Sequence, residues 1–246
     1  MSEKTVIYTV KDHIAHITLN RPAVGNIVNP ELSRELKEIC AGINGDDNVY
    51  VVILTGNGDT FSKGGEKGLE ESSQPAAAVA GIDRPVIAAI NGDALGTGLE
   101  IALSCDIRIA SDKARFGLPQ VADGRIPMDG GTQRLPRIIG RGKALELLLT
   151  ADTISAAEAL EIGLVSKVVP SGELAGEAEK LAETIAAKGP IALRYLKEAI
   201  IKGMDMTLEQ GLRLEADLYF LLHTTADRTE GIKSYLEKRT PKYKGK

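Results

Sequence analysis

One stretch constrains this chain more than any other: Ala94-Leu95-Gly96-Thr97-Gly98-Leu99-Glu100. It follows a strand-like apolar run at 85–90 and a turn signal, Asn91-Gly92. It leads into Ile101-Ala102-Leu103, which reads as the body of a buried helix. Glycines at the mouth of a helix let backbone pass close to a ligand. They also leave N–H groups aimed outward, where the helix dipole favours negative charge. Glu100 falls in the first turn of that helix, beside the same opening. A carboxylate next to backbone donors suits a base beside an oxyanion site. The plainer alternative is a tight turn followed by a helix-capping acid, and the local pattern leaves both open.

Composition narrows the setting. The chain has 246 residues, 43% of them hydrophobic, which suits one large domain or one domain with a helical appendage. A net charge of −4 gives no support to nucleic-acid binding by charge. Tryptophan is absent and aromatics make up 4%, which argues against a base-stacking platform. Cys40 and Cys105 are far apart and neither has a CxxC partner. Both read as buried core thiols, and a reducing cytoplasm is the expected location. No charged-then-apolar leader and no run long enough to span a bilayer is seen, so no membrane partner is expected.

The order of elements is that of an α/β chain. Runs at 5–10 and 14–19, split by Lys11-Asp12-His13, predict a β-hairpin. His16 lies within the second run and is assigned no role. Asn29-Pro30 opens a helix, with Asn29 as cap and Leu32, Leu36, Ile39, Cys40 and Ile43 on one apolar face. Residues 50–55 form an apolar strand of the kind buried on both faces. A second glycine-rich loop spans 61–68, and 69–84 suggest a short helix or a mobile cover. Further strands are expected at 85–90, 104–110 and 114–116, then a loop at 124–131. Helices follow from Thr132 and over 143–149. Ser155-Ala156-Ala157-Glu158 caps another, and 164–169 are extended. From 173 to 237 the pattern is helical, with apolar positions such as Leu196, Ile200, Leu212 and Leu218 that need a partner on the core or on another subunit. The basic tail at 238–246 reads as solvated or, functionally, as a contact to a ligand phosphate. No nucleotide-binding glycine fingerprint, HExxH or GxSxG motif is present, so dinucleotide, zinc-hydrolase and serine-triad chemistry lack support.

Taken in order, the motifs resemble one family, the crotonase or enoyl-CoA hydratase/isomerase superfamily. The likeness runs through Asn20-Arg21-Pro22, Asn29-Pro30-Glu31-Leu32, the 61–68 loop, the 94–100 stretch, Cys105-Asp106-Ile107 and Phe116-Gly117-Leu118-Pro119. It continues through 130–136, 157–165 and Asp227-Arg228-Thr229-Glu230-Gly231. The resemblance implies an α/β fold, a crotonase-like spiral of ββα repeats with a C-terminal helical trimerisation region. It implies a core with the acyl-CoA site over residues 1–190, and trimer contacts with a cover for CoA over 191–246. The implied substrate is an acyl-CoA thioester, with coenzyme A part of the substrate, no separate cofactor and no metal. The implied assembly is a homo-oligomer, a trimer or a dimer of trimers.

The resemblance also assigns residues. The oxyanion hole would be the backbone N–H groups of Gly65 and Thr97. Gly64, Glu66, Lys67, Gly68 and Gly96 would line the CoA and acyl channel, and Tyr219 and Lys238 would contact the CoA nucleotide. Family hydratases hold a water between two glutamates. Glu100 matches the first, but Gln120 stands at the second, and an amide orients water without acting as an acid. Asp129 is a candidate substitute acid, with Asp123 and Glu66 behind it. The segment between Gly68 and Arg84 is shorter than in most relatives, which implies a reshaped acyl pocket. The expected activity is therefore oxyanion-hole enolate chemistry, best labelled enoyl-CoA hydratase. The alternatives are a double-bond isomerase, a CoA-thioester hydrolase or decarboxylase, and a CoA-binding member without efficient catalysis.

Overall fold

The computed structural model describes residues 4–66 and 73–246. Lys67 and Gly68 lie outside the described residues, as do residues 69–72 of the stretch expected as a short helix or a mobile cover. The β-branched runs pair as a hairpin, β1 (Val6–Lys11) with β2 (Ile14–Leu19). Helix α1 (Pro30–Asn44) starts where the sequence predicts, with Asn29 Oδ1 accepting the Leu32 N–H at 2.9 Å. There follow β3 (Val51–Gly56), α2 (Pro75–Ala80), β4 (Val86–Ile90), β5 (Ala94–Leu95), α3 (Thr97–Leu103), β6 (Ile107–Ser111) and β7 (Arg115–Gly117). A 3₁₀ turn at Pro119–Asp123 leads to α4 (Gly131–Ile139), α5 (Arg141–Thr150), β8 (Thr153–Ser155), α6 (Ala156–Glu161) and β9 (Lys167–Val169). Ser155 and Glu158 form the expected reciprocal cap of α6.

A six-stranded sheet runs β1-β2-β3-β4-β6-β9, parallel except for the opening hairpin, and a second sheet runs β5-β7-β8. Short bridges, Val28 to Gly65 and Ser62 to Ala94, extend the layer of the second sheet. Each circuit of the chain thus adds a strand to the large sheet, an extended piece beside it and a helix. That is the ββα spiral expected from the resemblance.

Side chains alternate across the large sheet, as strand geometry requires. Val52, Leu54, Val86, Ala88 and Ile90 face one core, with α1, α2 and α3. Val51, Ile53, Ile87 and Ala89 face the other, covered by Leu174, Ala178 and Ala182 of α7 (Leu174–Ala186). The central strands are therefore buried on both faces, which explains their unbroken apolar sequence.

Beyond α7 come α8 (Pro190–Gly203), α9 (Leu208–Leu222) and α10 (Ala226–Leu236). The expected division at 190 falls at the start of α8. Lys197 moors α8 to the core: its Nζ donates to Arg84 O at 2.8 Å and to Asp106 Oδ2 at 2.7 Å, while Asp106 also accepts the Val86 N–H. Large apolar side chains on α8 and α9 nonetheless face outward, among them Leu196, Ile200, Met204, Leu208 and Phe220. The basic tail is not simply solvated. The buried Asp227 carboxylate accepts N–H groups of Lys244 at 2.7 Å and Gly245 at 2.9 Å and draws the tail back onto α10. A buried carboxylate needs such donors.

The spiral closes tightly where α3 meets the 62–65 loop. A Cβ on Gly98 would lie 2.7 Å from Ser62 Cβ and closer still to the Ser62 carbonyl oxygen. Ser62 cannot retreat, because its N–H donates to Asp93 O and its carbonyl accepts the Leu95 N–H, both at 2.9 Å. Gly98→Ala is expected to cost about 1–3 kcal/mol through overpacking, read as a lower urea midpoint with an unchanged m value.

Candidate active site

The 62–66 loop uses almost all of its backbone donors. Ser62 N–H reaches Asp93 O, Lys63 N–H reaches Gly25 O, and Glu66 N–H reaches Val28 O, while Gly64 N–H faces Ser62 Oγ at 3.3 Å. Gly65 N–H meets no acceptor among the described residues. Its parallel pairing with Val28 employs Gly64 O and Glu66 N–H, so the Gly65 N–H is turned to the opposite side.

The same happens at the start of α3. Gly96 N–H is taken by Gly117 O, and the Glu100 N–H closes the first turn on Gly96 O. Thr97 N–H is left as one of the free first-turn donors, with the positive end of the helix dipole behind it. The two loops lie against each other: a Cβ on Gly96 would be 3.6 Å from Gly64 Cα. Gly65 and Thr97 thereby line one cleft of about 700 Å³, together with Gly64, Glu66, Gly96, Glu100, Gln120 and Asp129. Two unused backbone donors at one cleft can hold a developing negative oxygen.

Glu100 is 2% exposed. Its Oε1 accepts the N–H groups of Asp129 at 2.7 Å and Gly131 at 3.0 Å, while Oε2 has no donor among the described residues. Gly131 comes this close because it lacks a side chain. A Cβ there would sit 2.8 Å from Pro127 Cβ and 3.1 Å from Glu100 Oε1. Burial pushes the Glu100 carboxyl above its ordinary value of 4.5, against the pull of those two hydrogen bonds, and the Asp129 charge adds to the rise. A carboxyl so raised takes a proton more readily than an exposed one.

Gln120, on the 3₁₀ turn, lies against Gly96, and its Oε1 is buried with no hydrogen-bond partner among the described residues. Such an acceptor at a cleft suits a ligand or water donor. Asp129 also lines the cleft, but its carboxylate is engaged: Oδ2 accepts the Ala76 N–H at 2.5 Å and Oδ1 the Ala77 N–H at 3.0 Å. Burial raises its pKa, with those hydrogen bonds and Arg134 opposing. Glu66 pairs with Arg21 at 2.9 Å, and Asp123 is exposed and paired with Arg125 at 2.9 Å. Tyr219 and Lys238 are exposed and do not line the cleft. Sequence reasoning passed over Ser73, Arg125, Ile126 and Met128, which do line it. It also passed over Arg134, whose Nη1 donates to Asp129 O at 2.7 Å. Arg134 lies within the 130–136 motif, which could have marked it, whereas Ser73, Arg125, Ile126 and Met128 carry no periodic or motif signal. Among the described residues no group of three or more His, Cys, Asp or Glu is placed to hold a metal ion.

Residues 9–246 match the family described as enoyl-CoA hydratase/isomerase. The Bacillus subtilis protein YngF is 45% identical, with 98% of each chain covered. The crotonyl-CoA hydratase of Syntrophomonas wolfei is 39% identical, with 97% of each chain covered. The crystal structure of an enoyl-CoA hydratase from Bacillus anthracis superposes with a TM-score of 0.94 at 43% identity, covering 98% of this chain and 100% of that one.

The raised Glu100 pKa carries a stability cost. From the unfolded value up to the raised folded value, the native state holds more protons, so stability falls as pH rises through that window. Above it the full cost persists. Glu100→Gln keeps the acceptor for the two N–H groups without the charge. The variant is expected to be more stable than the parent at pH 7.5, by urea unfolding, with a smaller gap at pH 4.

Proposed function

The chain belongs to the enoyl-CoA hydratase/isomerase family, and we propose that it is an enoyl-CoA hydratase, adding water across the 2,3 double bond of an acyl-CoA thioester. One observation carries the mechanism: a buried carboxylate with a free oxygen shares a cleft with two unused backbone N–H groups. The thioester oxygen accepts from Gly65 and Thr97. Glu100 Oε2 takes a proton from water, the water oxygen bonds to C3, and the π electrons move onto the thioester oxygen. The two N–H groups stabilise that enolate. When the carbonyl re-forms, C2 takes the proton back from Glu100, and the carboxylate is restored. Gln120 Oε1 accepts from the same water and fixes its direction, but supplies no proton.

A second reading rests on the same departure. With Glu66, Asp123 and Asp129 each engaged by a partner, Glu100 is the one free titratable carboxylate of the cleft among the described residues and can also move a proton between C2 and C4, which is double-bond isomerisation. The outward apolar side chains of α8 and α9 support self-assembly as a trimer or a dimer of trimers. Tyr219 and Lys238 then reach CoA from a neighbouring copy. The reading uses no cofactor beyond the CoA of the substrate. A cytoplasmic setting is supported by Cys40 and Cys105, free buried thiols whose pKa burial pushes up to about 12.

With crotonyl-CoA in deuterated water, mass spectrometry is expected to show the hydrated product with deuterium at C2. Glu100→Gln should lower kcat by about 10²–10⁴-fold, with CoA affinity nearly unchanged, and retained turnover would remove Glu100 as the base. Gln120→Glu is expected to raise hydration, and a 3-enoyl-CoA isomerised without hydration would establish the second reading instead.

A further inference from the structure

We infer that Asp129 is a positioning residue, tying helix α2 to Glu100 and setting the geometry of the catalytic carboxylate, and that it gives no proton to the substrate. The inference rests on the reading of Glu100 as the base.

Helix α2 begins without a cap of its own. The residue at its N-cap position, Gln74, makes no side-chain bond to the first turn. The N–H groups there still need acceptors. Asp129, 53 residues further along the chain from Ala76, supplies them: Oδ2 takes the Ala76 N–H at 2.5 Å and Oδ1 takes the Ala77 N–H at 3.0 Å. Its position at the positive end of the helix opposes the burial that raises its pKa. Both Asp129 oxygens are thus held by backbone donors, whereas Glu100 Oε2 has no donor among the described residues.

The main chain of the same residue completes the link. The Asp129 N–H donates to Glu100 Oε1 at 2.7 Å, and its carbonyl accepts Arg134 Nη1 at 2.7 Å. Asp129 is therefore held at three points, of which one is α2 and another is the catalytic carboxylate. Ser73, next to the start of α2, lines the cleft that Glu100 also lines. A movement of α2 pulls on the Asp129 carboxylate and shifts the donor that orients Glu100. A small misplacement of a catalytic group is costly in rate.

The test separates capping from positioning. Asp129→Ala is expected to lower both the melting temperature and kcat, the latter by about 10–100-fold, with KM for crotonyl-CoA little changed. Adding Gln74→Asp to that variant places a new carboxylate on α2 itself, within reach of the same Ala76 and Ala77 N–H groups. The melting temperature should then recover while kcat stays low. Recovery of kcat together with stability would reduce Asp129 to a helix cap and overturn the inference, as would full activity in Asp129→Ala. Asp129→Asn keeps an acceptor oxygen without an acid and should retain more than a tenth of the turnover. Complete loss of turnover and of deuterium uptake at C2 in that folded variant would make Asp129 a proton donor and also overturn the inference. Full turnover in Glu100→Gln would instead sink the reading of the site, whatever the Asp129 variants do.

Discussion

The contact on which the molecule depends is the one between the 62–65 loop and the mouth of α3. Ser62 pairs with β5 through its N–H and its carbonyl, and Gly98 packs directly onto its side chain. Successive turns of the spiral can stack at that distance only if the backbone of one meets the backbone of the next. The stacking consumes nearly every polar group along both edges. Gly65 and Thr97 keep free N–H groups because ladder pairing leaves alternate donors turned away, and because the first turn of a helix always has donors to spare. The pair of donors lining the cleft is thus produced by the same geometry that builds the fold.

The burial of Glu100 comes at a cost in stability. It is buried at the base of the cleft, and the loop from Pro127 to Gly131 must present two N–H groups to a single oxygen. Arg134 and α2 brace that loop from outside. The bracing leaves Oε2 unclaimed. A carboxyl so buried holds a proton more readily than one in water. Gln120, an amide, adds no second titratable group beside it.

The C-terminal helices follow a different logic. Lys197 fastens α8 to the core by hydrogen bonds to Arg84 O and Asp106, yet the apolar side chains of α8 and α9 remain largely uncovered within the chain. The Cys105-Asp106-Ile107 motif belongs to this mooring and not to the cleft. Exposure on that scale has the character of an interface surface.

Much was legible in order along the chain, because local chemistry decides it. Apolar runs without alternation require strands covered on both sides, Asn29-Pro30 requires a helix start, and Ser155 with Glu158 requires a reciprocal cap. The glycines around 64–65 and 96–98, with Glu100 following, marked the cleft before any packing was known. The role of Asp129 was not legible. Whether a loop acid faces a substrate or a distant helix depends on which N–H groups the tertiary fold brings to it, and Ala76 and Ala77 lie 53 and 52 residues away. The docking of the tail by Asp227 and the bracing by Arg134 are of the same kind. Sequence by itself determined the elements, since these follow from periodicity and backbone preference, while the spiral followed from the order of motifs shared with the family and Glu100 was singled out by its place at a glycine-lined helix mouth. Only the tertiary structure decided which carboxylate oxygen stays free, because that is settled by donors from segments that meet nowhere but in the folded chain.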